Sequence, residues 1–223
     1  MTGQDLAPPA SRVRLPHGER RALLLKAALT AFSENGYHAT AMDDIANRAG
    51  VSKPVLYQHF DSKLDLYLAL AHQARDTIIS TVEAALASTS DNAERIAATI
   101  DAFFEFIDRP DSGYPLILAS DMGSEPAVAA VLDEAQHGCA AAVGRVLQEQ
   151  TDLTWEECVL LGIGLVNQVQ AAARHWYESG SAVPRQQAAN LVMTLAWRGI
   201  GYMPPLGTGS AAEVVSRRSS QSG

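Results

Sequence analysis

Helix-start signals recur along almost the whole chain, each followed by apolar residues at helical spacing. From Glu19 to Glu34 the apolar residues Leu24, Leu25, Ala28, Leu29 and Phe32 keep a period near 3.6. Asn35-Gly36 ends that run, since glycine readily takes the left-handed cap conformation. Thr40-Ala-Met-Asp43 matches a capping box for a short helix over 41–48, and Ser52 is placed to cap another over 52–59. Ser62-Lys-Leu-Asp65 opens a long helix with the stripe Leu64, Leu68, Ala71, Ile78, Ile79, Val82 and Leu86. Asp91 with Glu94 opens the next, which carries Ile96, Ile100, Phe103, Phe104, Phe106 and Ile107 and ends at Arg109-Pro110. A short apolar segment over 114–119 follows. Glu125-Pro126, Thr154-Trp-Glu-Glu157 and Pro184 mark three more helices, reaching about Gln150, Glu178 and Arg198. No alternating strand pattern and no internal repeat stand out. The fold class is therefore all-α: three short helices, then a larger bundle of about six.

Composition enters through where the charge sits. The 223 residues carry a formal charge of −8. Eight basic and five acidic residues lie between Arg12 and Lys63, a net +3, which leaves −11 on the rest. All three lysines of the chain, Lys26, Lys53 and Lys63, lie in that segment. A basic head on an acidic body points to a nucleic-acid module joined to something else. Two cysteines, Cys139 and Cys158, form no disulfide framework and read as buried free thiols. The N-terminal stretch lacks the apolar core of a signal peptide, and no run reaches the ~18 apolar residues of a membrane span. The expectation is a soluble, cytoplasmic protein with no membrane partner.

In the head, the predicted second helix, the turn Ala49-Gly50-Val51 and the third helix form a helix-turn-helix candidate. Gly50 supplies the positive φ that a tight turn requires. Ile45, Ala49, Val51 and Leu56 are spaced to pack the helices together. The third helix is left to expose Lys53, Tyr57 and Gln58, side chains suited to phosphates and base edges. Lys63 opposes the dipole of the helix it starts, which a nearby phosphate would relieve. An ordinary helical hairpin inside a core is the alternative reading of the same pattern.

The run AFSENGYHATAMDDIANRAGVSKPVLYQHFDSKLDLYLAL, within Arg20 to Leu70, resembles the TetR family of bacterial transcriptional regulators. The match rests on GY-x-x-T, DIA-x-x-AGVS, LY-x-HF and SK-x-x-L. The resemblance implies double-stranded operator DNA as a partner. It implies a phosphate contact by Thr40, a recognition helix opened in the major groove by Ser52, Lys53, Pro54 and Val55, and backbone contacts by Tyr57, His59 and Lys63. Ala41 stands where many members carry a second Thr, and Pro54 where many carry a small residue. The implied organisation is an arm over 1–16, a DNA-binding domain over 17–62, an effector-binding and dimerisation domain over 63–203, and a tail over 204–223. The arm and the tail are expected to be disordered.

A reader of one half-site needs a two-fold partner. Trp155, Val159, Gly162, Ile163, Val166 and Val169 form one stripe, and Ala188, Leu191, Val192, Leu195, Ala196 and Gly199 another. The family implies that two such helices per subunit build a homodimer, although an internal core face has the same pattern. For a small effector, three of the five Phe residues fall at Phe103, Phe104 and Phe106, with Leu116, Ile117 and Leu118 beyond. Core and ligand cavity are both open readings, and few charges nearby favour an apolar or amphipathic ligand. DAFFEFIDRPDSGYPLIL, SEPAVAAVL and LAWRG, with VSKPVLYQHF, are also similar to the FasR-type actinobacterial regulators of fatty-acid synthase genes. That likeness implies a long-chain acyl-CoA effector controlling fatty-acid biosynthesis, its chain among Ile100, Phe103, Phe106, Ile107, Leu116 and Leu118. Arg109, Arg145 and Arg174 are the candidates for its phosphates. A TetR-type repressor of an efflux or catabolic operon with another hydrophobic ligand, and a helical interaction module that binds no DNA, remain as alternatives.

No enzyme motif competes. Glu134-Ala-Gln-His137 matches half of a di-iron site, but no second Glu-x-x-His accompanies it. There is no glycine-rich phosphate loop, no GxSxG and no Cys-x-x-Cys. The expectation is a non-enzyme with no cofactor and no metal.

Overall fold

The computed structural model describes residues 17–109, 111–113, 122–180 and 182–200. Eight helices lie among them: α1 (His17–Ala39), α2 (Met42–Arg48), α3 (Lys53–Tyr57), α4 (Lys63–Ala87), α5 (Asn92–Asp108), α6 (Pro126–Gln150), α7 (Trp155–Glu178) and α8 (Arg185–Ile200). The arm, the tail and the apolar segment over 114–119 lie outside the described residues, as do Leu116, Ile117 and Leu118.

Most helix starts follow their sequence signals. Ser62 Oγ accepts from the Asp65 backbone N–H at 3.0 Å, and Asp91 Oδ1 accepts from that of Glu94 at 2.9 Å. At α7 the capping box is complete, with Thr154 and Glu157 each bonded to the other's backbone N–H. Gly36 and Gly50 take φ of 77° and 66° at the expected helix end and turn, and Gly180 takes 71° just beyond the expected end near Glu178.

One start is shifted. The cap of α2 is Ala41, whose N–H donates to Asp44 Oδ2 at 3.2 Å. Thr40 is only 2% exposed instead. Its hydroxyl donates to the Gly36 carbonyl at 2.7 Å and lies 3.2 Å from that of Ala31. The Gly36 carbonyl lacks its i+4 helical donor, because the Thr40 N–H turns to the Tyr37 carbonyl, and the Thr40 hydroxyl serves it from inside instead. Of the capping box expected at Thr40–Asp43 only the reverse half forms, one residue further on, because alanine has no side-chain acceptor to complete it.

Two apolar cores organise the packing. The first gathers Leu24, Ala28 and Phe32 of α1, Ile45 of α2, Leu56 of α3 and Leu66, Tyr67 and Leu70 of α4, joined by Met122 and Val128. The second gathers Ile78, Val82 and Leu86 of α4 with α5, Ala135, Cys139 and Ala142 of α6, Ala173 and Trp176 of α7, and Val192 and Ala196 of α8. Helices α4 and α6 thus each bury one end in the head and the other in the body. Gly162 is what lets α6 and α7 approach, since a Cβ there would overlap the Ala140 carbonyl oxygen. Its closeness is explained by this contact within the subunit.

Lys63 joins α1 to α4. Its Nζ donates to the Tyr37 and Thr40 carbonyls, both at 2.9 Å, and stands 4.4 Å from the centre of the Tyr37 ring. The carbonyls at the end of α1 offset its unfavourable place at the positive end of α4. Lys63→Met should lower folding stability by about 1–3 kcal/mol, read by urea unfolding, because the carbonyls it serves lose a charged donor. An unchanged midpoint would mean that water replaces it without loss.

Candidate functional site

Two surfaces concentrate chemistry: the face of α3 and a cavity inside the body. Helix α3 is one and a half turns long, so its geometry depends on its flanks. Ser52 occupies the N-cap position with extended backbone, although its hydroxyl makes no capping bond. Pro54 sits in the first turn, where no N–H is lost. Leu56 is fully buried and nails the helix to the first core. That leaves Ser52, Lys53, Pro54, Tyr57 and Gln58 exposed, with Val55 and His59 half-buried.

Two neighbours tune this face. Lys53 pairs with Asp43 of α2 at 2.8 Å, and that carboxylate holds the lysine above its usual pKa. Arg48 of α2 likewise pairs with Glu34, lowering the glutamate pKa. Both pairs are exposed and therefore weak, so an incoming phosphate can compete for either cation. Thr40 and Lys63 border the same groove beside Lys53 and Tyr57. Their polar groups, however, are already committed to backbone carbonyls.

The cavity, about 320 Å³, lies among α4, α5, α6, α7 and α8. Its walls are mostly aliphatic: Val82, Leu86, Ile96, Ile100, Val143, Val146, Leu165, Val166 and Val169, with Phe103 and Trp197. A second cavity of about 260 Å³ adjoins it, with Phe103, Cys139 and Gln170 in both linings and Phe106 and Arg174 in the second alone. The size and the apolar lining fit small-ligand pockets.

Of the residues singled out in sequence, Ile100, Phe103 and Phe106 reach these cavities. Ile107 is 1% exposed in the second core and belongs to neither lining. Phe104 packs against Trp176, with ring centres 5.5 Å apart. The aromatic cluster thus divides between core and pocket, neighbours on α5 pointing to different sides. Val166 lines the cavity. Arg109 and Arg145 are exposed and held by Asp111 and Glu83, so Arg174 alone of the three proposed arginines borders a described cavity. Sequence reasoning missed Arg95 and Thr99, which lie at i−8 and i−4 from Phe103 on the lining face of α5.

Leu160, Leu191 and Leu195 are 68%, 61% and 63% exposed, and Trp155 is 38% exposed. Val159 is half-buried between this surface and the interior, and Gly199 falls in the last turn of α8. Leu160 lies outside the stripe that Trp155, Val159 and Ile163 form in sequence.

Neither half of the di-iron match is free. Glu134 pairs with Arg75, and His137 lies 3.2 Å from Asp133. Among the described residues no group of three or more His, Cys, Asp or Glu is placed to hold a metal, and no helix is long and apolar enough to cross a membrane.

Comparison with known proteins agrees with this arrangement. Residues 24–70 match the model for bacterial regulatory proteins of the tetR family, and residues 92–199 that for a tetracyclin repressor-like C-terminal domain. The chain belongs to the TetR family and is a DNA-binding transcriptional regulator of that type. It is 42% identical, over 86% of its length and 87% of the relative's, to the HTH-type transcriptional activator FasR of Mycolicibacterium smegmatis. A TetR-like regulator from Rhodococcus sp. RHA1 superposes with a TM-score of 0.66 at 27% identity, covering 85% of this chain and all of that one. Bacillus subtilis FadR in complex with stearoyl-CoA gives 0.68 at 20% identity, covering 80% of this chain and 98% of the other.

Cys139 and Cys158 are free and buried. Burial, with Glu83 nearby, pushes the Cys139 thiol up to about 12. It is therefore protonated at neutral pH and a poor nucleophile. In folded protein at pH 8, iodoacetamide should leave Cys139 unmodified in peptide mass analysis and label it after unfolding. Rapid labelling of native protein would contradict this burial.

Proposed function

We propose that the chain is a homodimeric regulator whose operator binding is weakened by a long-chain acyl-CoA seated in the body, and that it controls fatty-acid biosynthesis genes. The observation carrying the ligand class is the aliphatic cavity on α5, in a chain 42% identical to a FasR activator along most of its length. The stearoyl-CoA complex of Bacillus subtilis FadR supports the capacity of the same fold to hold such a molecule. The cavity lies against Val82 and Leu86, at the far end of the helix that begins at Lys63. A ligand that favours one tilt of α4 would shift the spacing of two reading heads.

The DNA-facing residues are Ser52, Lys53, Pro54, Val55, Tyr57 and Gln58, with His59 at the edge. Lys53 leaves Asp43 for a phosphate or base edge. Thr40 and Lys63 shape this surface by ordering the end of α1. The dimer face is formed by Leu160, Leu191 and Leu195 with Trp155, bordered by Val159 and Gly199. An exposed leucine pair on α8 beside one on α7 is the kind of apolar surface that a two-fold partner covers.

Operator affinity followed by anisotropy should fall about 5- to 150-fold on saturation with palmitoyl- or stearoyl-CoA, the range of ordinary allosteric coupling, and not with CoA alone. Unchanged affinity would exclude this effector. Lys53→Ala should reduce operator affinity and lower the salt slope by about 1, and Tyr57→Ala should weaken binding, both with folding intact. Retained affinity in both would place the DNA-reading surface elsewhere on the head. Leu191→Asp with Leu195→Asp should yield a folded monomer by light scattering. A persisting dimer would place the interface elsewhere.

A further inference from the structure

Thr99 breaks a rule that the other helical threonines obey. Thr30, Thr77, Thr81 and Thr194 each donate their hydroxyl to the carbonyl four residues earlier, at 2.7 to 3.1 Å. This is how a threonine inside a helix ordinarily satisfies its hydroxyl. Thr99 does not. Its Oγ1 is buried and bonded to nothing, while the residue lines the larger cavity. A buried hydroxyl without a partner is costly, and Thr99 borders the cavity, so a ligand seated against it would supply the missing partner.

One turn toward the start of α5, Arg95 lines the same cavity. Its guanidinium bonds the Thr89 carbonyl at 2.7 Å and Asn92 Oδ1 at 3.3 Å, and no described carboxylate neutralises it. Asn92 in turn bonds Gln150 of α6. One end of the cavity is therefore polar and cationic. Beyond Thr99, α5 presents Ile100 and Phe103, and the lining turns aliphatic.

We propose that Thr99, with Arg95 one turn above it, is the polar seat for the carbonyl of an acyl ligand. The head then leaves the bundle past Asn92 and Gln150, and the alkyl chain runs down α5 past Phe103 and Cys139. The Thr99 hydroxyl donates to the acyl oxygen. Arg95 lies about 6 Å further along the axis. There it meets the first amide carbonyl of a pantetheine arm or, if the ligand is a free acid, the carboxylate itself. This assignment rests on the acyl-ligand reading and fixes which way round the ligand sits.

The test compares palmitoyl-CoA with S-hexadecyl-CoA, a thioether in which a methylene replaces the carbonyl. Each is titrated below its micellar concentration into the full-length protein by calorimetry, with palmitate as a third ligand. Wild-type protein should bind the thioester about five- to tenfold more tightly than the thioether, the effect of one hydrogen bond. Thr99→Val keeps the side-chain shape, so it should erase that ratio while leaving thioether affinity unchanged, and Thr99→Ser should retain the ratio. Palmitate bound as tightly as the thioester, with loss on Arg95→Gln, would assign the seat to a free acid. Palmitate bound weakly would assign it to the thioester. A wild-type ratio near one, or a ratio that Thr99→Val leaves intact, overturns the seat while the acyl reading stands. Failure of all three ligands to bind wild-type protein overturns both.

Discussion

The ammonium of Lys63 holds two helix ends together, and in the proposed mechanism the coupling of head to body depends on that joint. α1 breaks at Gly36, and the Tyr37 and Thr40 carbonyls lie just beyond the break. α4 begins at Lys63, where a positive charge is unfavourable. Bringing one to the other offsets that difficulty, and Tyr37 adds a π-face above the same cation. Thr40 closes the remaining gap from within. The first residue of α4 is thereby tied to the scaffold that presents α3, so a tilt of α4 carries the reading face with it.

The two cores explain why such a tilt is available. Neither head nor body is closed by itself: α4 passes from Leu66 and Tyr67 in one to Val82 and Leu86 in the other, and α6 from Val128 to Cys139 and Ala142. The cavity walls lie at the body ends of both helices. Packed interiors respond to a ligand by shifting whole elements, because close-packed side chains leave little room for local compression. In the proposed reading, a chain seated against α5 therefore acts on the two helices that also build the head.

Helix positions were legible because helix punctuation is local. Ser62, Asp91, Thr154, Pro126 and Gly180 sit where their signals place them. The family motif was legible for a related reason: Gly50, Leu56 and the exposed Lys53 and Tyr57 have their roles within one short stretch. What the pattern could not settle was which of two faces each long helix turns inward. Val166 and Gly162 share a stripe with residues that stay exposed, and only tertiary packing assigns one to the cavity and the other to the Ala140 backbone. Lys63 misled for the complementary reason. Its partners, the carbonyls of Tyr37 and Thr40, are backbone groups more than twenty residues away, and side-chain identities say nothing about where they end up. Nothing in sequence separates Thr99 from the other helical threonines, because its missing bond is a matter of rotamer and packing.

The central claim is that a ligand in the body changes the spacing of two reading heads through α4. Spin labels at Gln58→Cys, one in each subunit, measure that spacing directly by pulsed electron-electron resonance, since Cys139 and Cys158 are buried. The account predicts a displaced distance distribution when palmitoyl-CoA is added at concentrations that release the operator. An unchanged distribution under those same conditions would contradict it.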